Sequence, residues 1–522
     1  TMVRFTARPP RATTATRRPL TGAGAGAFAL LAGLAACLFA LAVHSAGTPH
    51  SQAVSLESRE ELQLPSLGDA SSSTISPQLE RQIGEDFLKQ IYAGLPTSSD
   101  TLLKYYVSVH LSQLSGYSDL ADSILRVVVI DNKEINAFAA PGGVVGVNAG
   151  LFLYAHDVHE YSSVIAHELA HLSQRHFARG VEESQAQTIP TIASLIAAIA
   201  IAAMGGGDAG MAAISGVQAA AQARSLRYSR TRETEADRIG INTLVRAGLD
   251  PNGMPRMFER MNQTYRYSER PPEFLLTHPL SDTRVSDTRQ QVQSIPKPTA
   301  PAPNSRLNEL DYGLMRARTQ VNYATSPKAA VVLFEKALVE NPDDIASEYG
   351  LALALARTDK HDAALAITES LLNSDPQKIL YIGAHAEALI EGKKPAEAAH
   401  LLSHHLVLNP DNAPLSMLYA RALSAEKKFA QAQAVLERQS LANPRDIDVW
   451  YDLAETAGLS GDVIGVHRAR AEYFALHGGY SRAIQHLEYA QRLISRTEQR
   501  LLAQINQRIM DLRESLRAAQ QS

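Results

Sequence analysis

The chain has 522 residues, of which 45% are hydrophobic and 20% charged, and its formal net charge is −4. This is the composition of an ordinary globular protein, and the length allows two or three domains. The near-neutral charge, without a basic domain, excludes nucleic acid as a partner. Cys37 is the single cysteine of the sequence, so core packing and bound metal, rather than internal disulfides, must stabilise the fold.

The N-terminal region has the pattern of an export signal. Five arginines precede an apolar run over 23–43, and no acidic residue occurs before Glu57. This arrangement predicts a signal peptide over 1–46. The run is also long enough to cross a membrane, so a retained anchor stays open as the alternative. The polar, serine-rich stretch 47–76 is predicted to be an exposed lead-in.

The next region mixes helices with a few short strands. Apolar residues that recur every four positions predict a helix over 77–95, and a second apolar-periodic segment predicts another over 102–114. The β-branched run 126–130 predicts a strand. Two more strands are predicted within 135–148, separated by a turn at 141–143. This glycine-rich pair either offers an open edge to an extended polypeptide or forms a plain hairpin that closes a small sheet.

The segment 163–178 contains an H-E-x-x-H motif, and its apolar spacing predicts a helix throughout. On a helix, His167 and His171 share one face, so two neutral imidazoles can bind a single zinc ion. Glu168 would stand beside the remaining coordination position and take a proton from the attacking water. The motif therefore predicts a hydrolytic zinc site that needs a third ligand from elsewhere in the chain.

After this motif the sequence becomes unusually apolar. Residues 189–204 are almost wholly apolar, and three glycines at 205–207 interrupt the run before a second, alanine-rich stretch. Sixteen residues are too few for a comfortable membrane span. Two helices are predicted here, as a lid over the site, as a hairpin that makes peripheral membrane contact, or as ordinary core.

A third ligand is available further along the chain. Glu233 and Asp237 are four residues apart, so their carboxylates face the same way on a helix. Glu233 can complete the zinc site, and Asp237 can accept the outer N–H of a ligating histidine. Glu235 is expected to point elsewhere and to be solvated.

These motifs, in this order, resemble the M48 family of zinc metallopeptidases. A third motif strengthens the resemblance: the segment 277–284 is similar to the H-P-x-x-x-R segment of that family. The resemblance covers roughly 79–284 and implies a zincin-like α+β peptidase domain with a small sheet, predicted over 77–292. It implies that His278 lies over the metal, as an occluding ligand or as a contact to the reacting carbonyl. Arg284 matches the closing arginine of the family, and its role stays open.

A proline-rich linker is predicted over 293–305, and an internal repeat follows it. Prolines recur every 34 residues, and so do alanines; the prolines are Pro342, Pro376, Pro410 and Pro444. This period is typical of tetratricopeptide repeats, so 306–522 is predicted to be an all-α solenoid that binds proteins. Trp450 is placed in the first helix of the next repeat. A further helix pair is predicted over 473–493 and a capping helix over 496–517.

The whole chain is therefore predicted to be mostly α, an α+β metallopeptidase followed by a tetratricopeptide solenoid. An exported M48 peptidase with such an array is similar to periplasmic members of the family. The resemblance implies quality control of outer-membrane proteins, with unfolded or stalled precursors as substrates. It also implies that the array docks on the barrel-assembly machinery.

Two hypotheses from different functional classes follow. The first is a zinc endopeptidase that acts on misfolded or stalled polypeptides. The second is a chaperone or assembly factor whose peptidase site His278 normally occludes, with the array carrying the main activity. A third interpretation, an integral membrane protease, requires a retained anchor at 23–43 and insertion of 189–204.

Overall fold

The computed structural model describes six ranges of the chain: 76–120, 126–183, 230–266, 273–295, 307–495 and 497–521. The predicted signal peptide, nearly all of the polar lead-in, the apolar segment 189–204 and most of the predicted linker lie outside these ranges. Within the described ranges, every helix is too short or too polar to cross a membrane.

A small three-stranded sheet stands beside the predicted zinc helix. Its strands are β1 (Arg126–Ile130), β2 (Ala137–Ala140) and β3 (Val144–Asn148), in the order β1-β3-β2. β1 runs parallel to β3, and β2 runs antiparallel to β3, so β2 forms an edge. The turn between β2 and β3 has φ of +73° at both Gly142 and Gly143, which glycine adopts without strain. The predicted strands and turn are confirmed.

Nine helices are described around this sheet: α1 (Pro77–Gly94), α2 (Thr101–Ser115), α3 (Leu151–Tyr154), α4 (Val158–Ser173), α5 (His176–Glu183), α6 (Arg230–Arg246), α7 (Gly253–Arg266), α8 (Glu273–Thr277) and α9 (Asp282–Ser294). Side chains of Ser76, Asp100, Asp157 and Ser281 cap four of them by accepting a backbone N–H of the first turn. α4 packs against α6, α7 and β2 and is buried from Tyr161 to His171. The helix that carries the motif is therefore the centre of the peptidase core.

The predicted single helix over 163–178 is wrong at its C-terminal end. α4 ends at Ser173, and α5 begins at His176 after a turn in which Arg175 has φ of +48°. This left-handed conformation is unfavourable for a residue with a side chain. The Arg175 side chain reaches Glu80, whose Oε1 lies 3.2 Å from Arg175 Nε and 3.0 Å from an Arg175 terminal nitrogen. The local apolar pattern does not signal this break.

The C-terminal half is a stack of twelve helices: α10 (Glu309–Tyr323), α11 (Pro327–Glu340), α12 (Ile345–Ala356), α13 (His361–Ser374), α14 (Ile379–Glu391), α15 (Pro395–Leu408), α16 (Ala413–Ala425), α17 (Phe429–Ala442), α18 (Ile447–Ser460), α19 (Val463–Leu476), α20 (Tyr480–Leu493) and α21 (Gln499–Gln521). The repeat alanines Ala330, Ala364, Ala398 and Ala432 are fully buried between the paired helices. The predicted solenoid is confirmed.

The helix pair predicted over 473–493 is not a complete pair in the structure. That range contains the end of α19 and the whole of α20, joined at Gly478 and Gly479. Gly478 lies 34 residues after Pro444, at the position that proline occupies in the earlier repeats. Its φ of +71° forms the turn between the two helices. The repeat period therefore continues, with glycine in place of proline.

The array packs directly on the peptidase helices α1 and α2. One hydrophobic cluster continues from α2 and α4 into α10, α12 and α14. Leu102 on α2 lies so close to α14 that a Cβ on Gly383 would come within 2.7 Å of its side chain. Lys104 lies 2.8 Å from Asp446 and 3.1 Å from Asp448, both at the start of α18. The first helices of the repeats thus face the peptidase. The domain boundaries at 292 and 306 remain predictions.

Candidate metal site

Three predicted ligands converge from two helices. His167 and His171 lie one turn apart on α4, and their Nε2 atoms are 3.0 Å apart. Glu233 on α6 places Oε2 at 3.5 Å from Nε2 of His167 and Oε1 at 3.5 Å from Nε2 of His171. All three side chains are at most 2% exposed. The packing of α4 against α6 therefore brings together residues that are 62 positions apart in the sequence.

The donor set fits a tetrahedral zinc ion. Nitrogen and carboxylate ligands lie about 2.0–2.1 Å from zinc, which separates neighbouring donors in a tetrahedron by about 3.3 Å. The two histidine Nε2 atoms are 3.0 Å apart, and each lies 3.5 Å from a different oxygen of Glu233, so the separations are close to this value. Two imidazoles with one carboxylate are also a common set of protein ligands in hydrolytic zinc sites. The residues present thus fit a metal ion.

His278 occupies the side of the site that these three residues leave open. Its Nδ1 lies 3.3 Å from Nε2 of His167 and 3.1 Å from Oε1 of Glu233, so all four donor atoms lie within 4.8 Å of one another. The preceding helix α8 carries Phe274, whose ring stacks on the His278 ring. The backbone N–H of Phe274 donates to the carbonyl of Ile135 just before β2. The α8 segment therefore covers the site and is tied to the sheet edge.

Glu168 lies beside the four donors but outside their set. Its carboxylate is completely buried, and Oε1 is 3.4 Å from Nε2 of His278. Burial raises the pKa of Glu168, although the charges of His278 and His167 oppose this shift. A carboxylate with a raised pKa binds a proton more readily, which suits general-base chemistry.

Asp237 and Arg284 form the outer support of the ligands. Asp237 Oδ1 lies 2.9 Å from Nδ1 of His167, and two guanidinium nitrogens of Arg284 lie 2.7 Å from the Asp237 oxygens. A third contact of Arg284 reaches Glu233 Oε2 at 2.8 Å. Arg284 is only 4% exposed, so its charge compensates two buried carboxylates. The structure thus places Arg284 against Asp237 and Glu233, where it bridges the two carboxylates.

The same contacts shift the pKa values of the ligands in opposite directions. Burial opposes the charged form of His167, but its bonds to Asp237 and Glu233 outweigh burial and raise its pKa to about 9. Burial dominates at His171 and holds its pKa well below the usual range. Burial would raise the pKa of Glu233, yet the neighbouring histidines His278 and His167 hold it well below its usual value. The Glu233 carboxylate therefore stays ionised, which is the state that metal binding requires.

Two further residues belong to this cluster and were missed from the sequence. His176 places Nδ1 at 2.8 Å from Nδ1 of His171, and its Nε2 lies 3.2 Å from Oε2 of Glu235. Glu235 points away from the four donors, as expected, and its side chain is 26% exposed, but it also accepts a bond from Arg179. Burial lowers the pKa of His176 to about 4. No turn-forming residue marks the helix break that brings His176 inward, so the sequence carries no local signal for it.

Comparison with known proteins agrees with this geometry. The model of peptidase family M48 matches residues 107–292, and a tetratricopeptide repeat model matches residues 389–455. A putative beta-barrel assembly-enhancing protease of Vibrio cholerae is 33% identical over 438 residues, which cover 83% of this chain and 89% of that protein. The chain belongs to peptidase family M48. It is thus a metallopeptidase joined to a protein-binding repeat array, as the motifs predict.

Two further relatives extend this similarity. The beta-barrel assembly-enhancing protease of Escherichia coli K12 is 32% identical over 429 residues, covering 82% of this chain and 86% of that protein. A mitochondrial metalloendopeptidase, OMA1 of Schizosaccharomyces pombe, is 29% identical over 216 residues, covering 40% of this chain and 60% of that protein. The bacterial relatives thus match over most of their length, whereas the mitochondrial one matches over a shorter region.

Proposed function

We propose that this M48 metallopeptidase is a zinc endopeptidase that cleaves misfolded or stalled outer-membrane polypeptides in the periplasm. The observation that carries the proposal is the convergence of His167, His171 and Glu233, with Glu168 buried beside them. The names of the bacterial relatives support a role in barrel assembly. The predicted export signal supports the periplasmic location.

In this proposal His167, His171 and Glu233 hold one zinc ion. When bound, the ion supplies Lewis acidity that polarises the scissile carbonyl and acidifies water. Glu168 takes a proton from the attacking water and delivers it to the leaving amine nitrogen. Asp237 keeps the outer nitrogen of His167 protonated, so that Nε2 remains free to act as a ligand.

The edge strand β2 is the proposed binding surface for extended polypeptide. It is the outer strand of the sheet, and α4 packs against it, so a polypeptide paired with β2 would run past Glu168. All four residues of β2 are buried in this structure. We infer that substrate pairs with β2 only after the α8 segment, with Phe274 and His278, moves away.

The array is the proposed docking surface for the barrel-assembly machinery. Tetratricopeptide stacks bind proteins, and nothing in their repeat pattern supplies catalysis. Gly383 in α14 and two aspartates at the start of α18 already contact the peptidase. A partner bound to this array would therefore lie close to the peptidase. The apolar segment 189–204 is proposed to make the peripheral membrane contact.

Metal removal with a matched pair of substrates tests the proposal. We expect the purified chain to cleave a urea-denatured outer-membrane barrel after dilution and to leave the folded barrel intact. A chelator should stop this cleavage, and zinc should restore it at one ion per chain. Cleavage that survives complete chelation would contradict the metal mechanism, and equal cleavage of both substrates would contradict the substrate class.

A second function is favoured by the cover over the site. Hydrolytic zinc sites keep one position open, whereas His278 brings a fourth donor to within 3.3 Å of His167 and 3.1 Å of Glu233. In this closed state the array would act as a chaperone or assembly factor while the peptidase is shut. The two functions are compatible if a partner or substrate displaces the cover.

The substitution His278→Ala tests the cover. We expect basal cleavage to rise by about tenfold or more, because removing the covering group shifts the population towards the open site. The control is His400→Ala, which removes an exposed histidine from the array and should leave cleavage unchanged. Unchanged activity of His278→Ala in a quantitative peptide-release assay would contradict the cover, and lower activity would instead assign His278 to the reacting carbonyl.

A further inference from the structure

The turn between α4 and α5 gives His171 an outer partner. Residues 171 and 176 are five apart, and on one continuous helix they would be rotated by about 140° from each other. The break at Arg175 instead folds His176 back, so that Nδ1 of each ring lies 2.8 Å from that of the other. His176 is completely buried there.

The geometry allows a single proton arrangement when His171 acts as a ligand. Its Nε2 faces the donor group, 3.0 Å from Nε2 of His167, and must be unprotonated to bind metal. Nδ1 of His171 then carries the proton and donates it to Nδ1 of His176. The second nitrogen of His176 is left as a donor, and it lies 3.2 Å from Oε2 of Glu235.

This chain of bonds ends at a fixed charge. Arg179 on α5 places a guanidinium nitrogen 3.1 Å from the same Glu235 oxygen. His167 has the corresponding support on the other side of the site, from Asp237 and Arg284. Each histidine of the motif thus begins a series of contacts that ends at an arginine. The series from His167 passes through Asp237, and the series from His171 passes through His176 and Glu235.

We propose that His176 and Glu235 are positioning residues that fix the tautomer and ring orientation of His171 and thereby set the metal affinity. This inference rests on the proposed metal site. Outer partners of ligating histidines typically contribute 10- to 100-fold to metal affinity. The two residues act through His171, and neither joins the four donors that converge on the site.

The test measures zinc affinity of the purified full-length chain by competition with a chromophoric chelator. His176→Phe keeps a planar ring but removes the acceptor, and we expect it to weaken zinc binding by about 10- to 100-fold. His176→Asn places an amide oxygen near the position of Nδ1 and should recover most of the affinity. The control His385→Phe makes the same change in the array, where that histidine bonds Thr368, and should leave the affinity unchanged.

A spectroscopic measurement separates positioning from packing. With cobalt in place of zinc, His176→Phe should shift the visible absorption bands that report ligand geometry, and His176→Asn should return them towards the wild-type positions. Wild-type affinity in His176→Phe would overturn the inference. So would a His176→Asn variant as weak as His176→Phe, because the role would then be packing alone.

The affinity measurement does not depend on the substrate. If the wild-type chain binds zinc tightly and the His176 variants do not, the inference holds even when outer-membrane polypeptides are left uncut. If the variants bind as tightly as the wild-type chain while cleavage proceeds, the inference fails and the proposed function stands. No measurable zinc affinity in the wild-type chain would overturn both.

Discussion

Replacing Glu168 with glutamine is expected to lower peptide hydrolysis by about 10²- to 10⁴-fold or more while leaving metal binding intact. General acid–base groups contribute rate factors of this size, and glutamine cannot accept the proton of the attacking water. Glu168 lies outside the four donors that converge on the site, so its loss removes no ligand. Glutamine also matches its shape in a fully buried position.

The Glu168→Gln effect should be measured in two backgrounds, because His278 covers the site. In the His278→Ala background the open site should give a higher starting rate, and the loss caused by Glu168→Gln should then be largest. The control is Glu134→Gln, the same change at an exposed carboxylate. Cleavage that persists in both backgrounds would assign the proton transfer to another group.

The same variant distinguishes the two functions in cells. If Glu168→Gln fails to support outer-membrane biogenesis, proteolysis is the main activity. If it supports biogenesis fully, the array carries the main activity and the peptidase is secondary. Zinc content should equal that of the wild-type chain in both cases, which separates lost chemistry from lost structure.

Replacing Arg318 with methionine is expected to cost up to about 3–5 kcal/mol of stability, because it leaves two mostly buried carboxylates, 11% and 18% exposed, without their cation. Arg318 on α10 bonds Asp100 Oδ2 at 2.6 Å and both oxygens of Glu387 at 2.6 and 2.8 Å. Asp100 caps α2 and Glu387 lies on α14, so one guanidinium joins the peptidase to the array. Arg318 is only 4% exposed.

An exposed ion pair provides the comparison for Arg318→Met. Arg421 lies 2.8 Å from Glu391, and both side chains are more than a third exposed. Such pairs contribute about 1 kcal/mol or less, so Arg421→Met should barely move the urea unfolding curve. Partial recovery in an Asp100→Asn, Arg318→Met double variant would confirm that unpaired buried charge causes the loss. Equal losses at Arg318 and Arg421 would contradict it.

Local sequence was sufficient for most of the helices and strands, though not for all of their ends, and for the grouping of the principal site residues. The four-residue spacings of His167 with His171 and of Glu233 with Asp237 each fix one helix face, because helix geometry is uniform. The 34-residue period fixed the array in the same way. The role of His278 came from resemblance, because its distance from the motif gives no geometric reason for it to meet the ligands.

Local sequence was insufficient where a distant contact overrides a local pattern. The apolar spacing around His171 continues past Ser173, yet the helix ends there, next to a left-handed Arg175 whose side chain pairs with the distant Glu80. The contact between Glu235 and the buried His176 likewise depends on the helix break and could not be predicted from local spacing.

The sequence by itself thus determined which residue types lie on which helix faces, and so a candidate site of two histidines and one glutamate joined to a repeat array. Tertiary structure alone decided that the site is covered by α8, that His171 is supported by His176, and that the array packs on α2. The physical reason is the range of the interactions. Helix periodicity depends on residues a few positions apart, whereas cover, support and docking depend on contacts between residues tens to hundreds of positions apart.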